Sequence, residues 1–87
     1  MSYYVYILTC KDNTLYTGIT TDIEKRVEEH NNSEKGAKYT RARRPVVLSY
    51  SENAENRSEA SKREYAIKKL TRNQKLELIY SSSSSSS

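Results

Sequence analysis

The chain of 87 residues has one cysteine, one proline, one histidine and two glycines, and it has neither tryptophan nor phenylalanine. A single thiol, Cys10, excludes an internal disulfide and a cysteine-built zinc site and suits a reducing compartment. As a small apolar side chain in an extended run, it is expected to be buried. No apolar run approaches the ~20 residues of a membrane-spanning helix, and no leader-type pattern opens the chain, so a soluble cytoplasmic protein without membrane contact is expected. Apolar residues make up 34% of the sequence, below the usual ~45–50%. Eight tyrosines must therefore supply the aromatic bulk, and each one that is buried needs a partner for its hydroxyl.

What is present fits one domain over residues 1–80, followed by a homopolymeric tail, Ser81 to Ser87, that can bury nothing and is expected to be disordered. Ser2 to Cys10 is β-branched and aromatic, Lys11 to Thr14 is turn material, and Leu15 to Ile19 is a second extended run, which together predict a β-hairpin. Alternation puts Tyr4, Tyr6 and Leu8 on one face of the first strand and Tyr3, Val5 and Ile7 on the other. Thr21-Asp22-Ile23-Glu24 has the form of a capping box and predicts a helix to about Asn31. Val46 to Tyr50 is a short continuous apolar run, the pattern of a central or well-covered third strand. Asn56 to Glu59 reads as a second cap and opens a helix from about Arg57 to Leu70, and Thr71 to Gln74 reads as a third, opening a helix to about Tyr80. The expectation is an α+β fold, a three-stranded antiparallel sheet packed against three helices in the order β-β-α-β-α-α.

Four polar side chains recur at spacings that such a hairpin and helix can gather. Ten residues separate Tyr6 from Tyr16, ten more separate Tyr16 from Arg26, and His30 follows one helical turn later. The inward stripe of the second helix reads Ala60, Glu64, Ile67 and Leu70, which puts a carboxylate among core positions. An unpaired buried charge is costly, so Glu64 requires a cation, a hydrogen-bond donor or a metal ion nearby.

The net charge is +4, and its distribution is uneven. Lys35, Lys38, Arg41, Arg43 and Arg44 fall in a stretch free of acidic residues, just after the predicted Arg26–His30 helix and closed by Pro45. Such a cluster attracts backbone phosphates without regard to base sequence. No zinc module or recognition-helix pattern accompanies it, so base-specific readout is not expected.

On these residues the chain resembles the GIY-YIG nuclease family, particularly its small single-domain bacterial members. Tyr4-Val5-Tyr6 stands at the first triplet and Tyr16-Thr17-Gly18 at the second, with Tyr4 in place of the first triplet's Gly and Thr17 in place of the second's Ile. Arg26 stands at the family arginine, His30 where members carry His or Tyr, and Glu64 at the family's metal-binding glutamate. The resemblance implies a metal-dependent endonuclease that hydrolyses phosphodiester bonds, in DNA ahead of RNA, in repair or processing. Glu64 would hold one Mg²⁺ or Mn²⁺, Arg26 would clamp a phosphate oxygen, and Tyr16 would accept the proton of the attacking water. Tyr6 and His30 would orient or relay it. The chain lacks the targeting domains of larger members, so a protein partner or a structured substrate would supply selectivity. Two readings of other classes stand beside it: a nucleic-acid-binding module that keeps the fold without cutting, and an adaptor whose basic loop docks on an acidic protein.

Overall fold

A computed structural model describes residues 2–32 and 42–84 of the chain. Its elements are β1 (Tyr3–Thr9), β2 (Leu15–Thr20), α1 (Ile23–Asn32), β3 (Val47–Ala54), α2 (Arg57–Lys68) and α3 (Arg72–Ser84). The strands form one antiparallel sheet in the order β2-β1-β3, so the α+β architecture and the element order are those expected. No helix among the described residues is long and apolar enough to cross a membrane.

The hairpin turn is built from local polar chemistry. Asp12 Oδ1 accepts from the backbone N–H of Thr14 at 3.2 Å and from its hydroxyl at 2.6 Å, while Asn13 takes the left-handed conformation, φ 68°, that its short side chain tolerates. The resulting register sets Tyr6 opposite Gly18 and Leu8 opposite Tyr16.

β1 is the central strand, and Val5 through Leu8 are buried on both faces. Val5 and Ile7 pack with Ala60, Ile67 and Ile79 from α2 and α3. Tyr6, Leu8 and Cys10 pack with Val46, with Tyr16 and with Val27 of α1. Three layers result, with α1 on one face of the sheet and α2 with α3 on the other, and the alternation expected along the first strand holds.

Three local expectations are corrected. The third strand is an edge, not a central element: Val47 is 62% exposed and Leu48 40%, because the continuous apolar run that signals double burial belongs to β1. A bulge between Ile7 and Leu8 of the pairing leaves Ser49 out of register, where its hydroxyl meets that of Thr9 at 2.5 Å. The first helix is capped by Asp22 instead of Thr21: Asp22 Oδ1 accepts from the N–H of Lys25 at 3.2 Å, and Thr20 Oγ1 accepts from the N–H of Asp22 at 3.1 Å. Finally, α3 ends at Ser84, four residues past the helix end expected at about Tyr80. The other two caps form as read. Asn56 Oδ1 accepts from Glu59 N–H at 2.9 Å, and Thr71 and Gln74 exchange side-chain-to-backbone bonds at 3.0 and 3.2 Å.

Candidate active site

The site begins with Tyr6. Its ring lies across the α-carbon of its strand partner Gly18, where a Cβ would stand 2.5 Å from the phenol oxygen and 3.2 Å from the Tyr16 ring. Only glycine leaves room for the two aromatic rings there. Tyr6 is 1% exposed and His30 fully buried, with the phenol oxygen 2.9 Å from His30 Nε2. Tyr16, half-buried, completes a triangle of rings: centroids lie 6.5 Å apart for Tyr6–Tyr16, 6.0 Å for Tyr6–His30 and 5.2 Å for Tyr16–His30.

Arg26, one turn before His30 on α1, hydrogen-bonds to the Tyr6 hydroxyl and places Nη1 3.2 Å from Glu29 Oε1. Burial opposes the guanidinium charge, but the bonds to Tyr6 and Glu29 outweigh it and hold Arg26 above its ordinary pKa. Because a guanidinium only donates, the Tyr6 oxygen accepts from Arg26 and its own proton is directed to Nε2 of His30, which assigns the histidine proton to Nδ1.

Burial pushes the Tyr6 pKa up to about 12 despite the Arg26 bond that pulls it down, and the nearby charge of Glu64 adds to the rise. Burial likewise lowers His30 to about 4, with the positive charges of Arg26 and Arg44 reinforcing it and Glu29 opposing it. At neutral pH the pair is a protonated phenol and an uncharged imidazole.

The charge of Glu64 on α2 is the weakest of the influences on this phenol, opposite in direction to that of Arg26. The carboxylate is not buried as the helical stripe suggested. Its side chain is 25% exposed, with Lys68 Nζ 3.5 Å from Oε2, because the position sits at the margin of the α2 core face. Among the described residues no three metal-ligating side chains cluster. A single partly exposed carboxylate is compatible with Mg²⁺ or Mn²⁺, which bind through one or two carboxylates and complete their shells with water and substrate phosphate.

The basic segment is reached only in part, since Lys35, Lys38 and Arg41 lie outside the described residues. Arg43 Nε pairs with Asp12 Oδ2 at 3.1 Å, and its carbonyl accepts from Lys11 N–H at 2.9 Å. Arg44 Nε donates to the carbonyl of His30 at 2.5 Å. Asn31 grips Val46 through both backbone groups, accepting from its N–H at 2.7 Å and donating to its carbonyl at 3.0 Å. Arg44 and Val46 are thus fastened to the C-terminal end of α1, next to His30.

Asn31 and Glu29 were not singled out from sequence. The i, i+3 spacing of Arg26 and Glu29 was a readable signal, whereas nothing local marks Asn31. A hollow of about 390 Å³ lined by Glu52, Asn53, Ala54, Glu55, Glu59 and Arg63 includes none of the site residues.

An α+β domain thus sets two strand tyrosines against a histidine and an arginine of α1. The model of the GIY-YIG catalytic domain matches residues 2–77, and the chain belongs to the GIY-YIG family, a nuclease family that acts on nucleic acids. It is 65% identical over 80 residues to a UPF0213 protein of Clostridium perfringens, covering 92% of this chain and 85% of that one. A UPF0213 protein of Desulfotalea psychrophila is 59% identical over 81 residues, covering 93% of this chain and 74% of that one. Among solved structures it is similar to the UPF0213 protein of Bacillus halodurans, with 46% identity, TM-score 0.58 and coverage of 92% of this chain and 84% of that one. A protein of E. faecalis gives 51% identity and TM-score 0.64, with coverage of 93% and 85%.

Proposed function

We propose that this chain is a metal-dependent endonuclease that hydrolyses phosphodiester bonds in DNA, and in RNA second, within DNA repair or processing in the cytoplasm. The observation that carries the reading is the clustering of Tyr6, Tyr16 and His30, whose ring centroids lie 5.2 to 6.5 Å apart, with the Tyr6 hydroxyl 2.9 Å from His30 Nε2 and Arg26 one turn before that histidine on α1. Charge neutralisation at phosphorus is the main requirement of this chemistry. Arg26 binds a nonbridging phosphate oxygen through its remaining donors, with Nη1 steadied by Glu29. Glu64 would hold Mg²⁺ or Mn²⁺, which when bound supplies positive charge beside the phosphate and the departing oxygen. Tyr16, after releasing its own proton to solvent, takes the proton of the attacking water as a phenolate. Tyr6, protonated and locked between Arg26 and His30, positions that arrangement and does not accept the proton itself. Arg43 and Arg44, with Lys35, Lys38 and Arg41 from the same basic run, contact backbone phosphates.

The test is incubation with labelled single-stranded, duplex and branched DNA and RNA, in Mg²⁺, in Mn²⁺ and in EDTA. Cutting in the metals, its loss in EDTA, and its loss in Glu64→Gln, Arg26→Ala and Tyr16→Phe with binding retained are the expected results. Binding without cutting under every condition would instead make the chain a nucleic-acid-binding module of this fold. Salt-insensitive behaviour with no nucleic-acid binding would favour a docking role on a protein partner.

A further inference from the structure

The surface of α2 beside Glu64 carries a feature the proposed chemistry does not use. Tyr65, the next residue, is 63% exposed, and the ammonium of Lys69 sits 4.5 Å from its ring centroid. Lys68, 54% exposed, bridges to Glu64. Two i, i+4 pairs, Glu64–Lys68 and Tyr65–Lys69, thus run side by side along the last turns of α2. Beyond them Arg72, at the start of α3, donates to the carbonyl of Asn13 at 2.5 Å, which ties this end of the molecule to the hairpin turn where Arg43 is also held through Asp12.

An exposed tyrosine is ordinary by itself. This one follows Glu64 in the chain, about 100° further round the helix, is not part of either core cluster, and carries the ammonium of Lys69 over its ring. An aromatic face among cations is the arrangement by which proteins hold single-stranded nucleic acid, the ring stacking a base and the cations meeting the phosphates. A paired base in a duplex has both faces stacked already and gains nothing from such a ring.

We propose that Tyr65 is a base-stacking residue that holds one unpaired nucleobase next to the scissile phosphate, with Lys68 and Lys69 on the adjoining phosphates, so that the enzyme prefers substrates with a single-stranded nucleotide at the cut. The proposal rests on the nuclease reading and names the substrate class for that site. Tyr65 contributes to binding and position, not to the chemical step.

The experiment measures the Kd of fluorescently labelled oligonucleotides in EDTA, where no metal-dependent cutting competes, for the unmutated protein and for Tyr65→Ala, Tyr65→Phe and Tyr65→Trp. Single-stranded and blunt duplex oligonucleotides of one sequence are compared, each as DNA and as RNA. Tyr65→Ala is expected to weaken single-strand binding about tenfold or more, as loss of one base stack does, in DNA and RNA alike because the sugar takes no part. Phe and Trp are expected to restore it, and duplex Kd is expected to stay within about twofold. An unchanged single-strand Kd in Tyr65→Ala, an equal loss on duplex, or no rescue by Phe and Trp overturns the stacking role and leaves the nuclease reading standing. Absence of binding to every oligonucleotide by the unmutated protein overturns both.

Discussion

Gly18 and Tyr6 are cross-strand partners, and the phenol of one occupies the space a side chain on the other would fill, 2.5 Å from an idealised Cβ. The ring is buried there, and its hydroxyl is the junction at which α1 and the sheet meet. Gly18→Ala is therefore expected to displace Tyr6 from His30 and to cost about 1–3 kcal/mol by overpacking. Cleavage should fall by more than the folded fraction does. Denaturant titration alongside initial rates on the same preparation separates the two losses.

Tyr6→Phe removes the same hydroxyl without a steric clash. It strands His30 Nε2 and one Arg26 donor, a loss of about 1–3 kcal/mol for a buried polar group left unpaired. A pH signature distinguishes this from general loosening. The folded Tyr6 pKa, about 12, lies above the unfolded ~10, so its stabilisation is intact below pH 10 and is lost as pH rises from about 10 to 12. Tyr6→Phe should lack that component of alkaline destabilisation, which unfolding midpoints at pH 8 and 11 would reveal.

His30 gives the opposite sign. Its folded pKa of about 4 is below the unfolded ~6.5, so the unfolded chain binds the extra proton between those values. Stability should fall as pH drops from about 6.5 to 4, by up to about 3 kcal/mol. The chain has one histidine, so its ring carbons give a single NMR titration curve. Protonation near pH 6.5 in the folded protein would contradict the buried neutral ring.

Thr17 stands on β2 with its hydroxyl buried and unpartnered among the described residues, 3% exposed. Replacing it with Val deletes the orphan hydroxyl while preserving shape. Thr17→Val is expected to stabilise the fold by about 1 kcal/mol, read as a higher urea midpoint at unchanged slope. A lower midpoint would show that the hydroxyl has a partner in solution.

Asn31→Leu should loosen Val46 from α1, since both hydrogen bonds to it are lost and only the Arg44 bond to the His30 carbonyl remains. Nucleic-acid affinity is expected to drop with a shallower salt dependence, while kcat at saturating substrate changes less. A fall in kcat at constant KM would instead place Asn31 in the chemistry.

Residues whose structure depends on near neighbours could be read from the chain alone. The hairpin, two of the three caps and the inward positions Ala60 and Ile67 all follow from periodicity and turn chemistry within a few residues. The regular spacing of Tyr6, Tyr16, Arg26 and His30 pointed to a shared site, and the structure gathers them. The edge position of Val47 and Leu48 was not readable, because strand order depends on which strand the others pair with, and local hydrophobicity carries no information on that. Nor was the exposure of Glu64: helical phase brings it toward the sheet, but the width of the sheet beneath decides whether the carboxylate is covered.

The order of elements, the apolar faces of β1 and the residue types available for phosphate chemistry were set by the sequence itself, through interactions spanning one turn or one hairpin. Only the tertiary structure decided that Tyr6 is held protonated, that His30 is held neutral, and that Arg44 and Val46 are held against α1 through His30 and Asn31. Burial and long-range hydrogen bonds produce those states, and both exist only once residues distant in the chain share the same low-dielectric space.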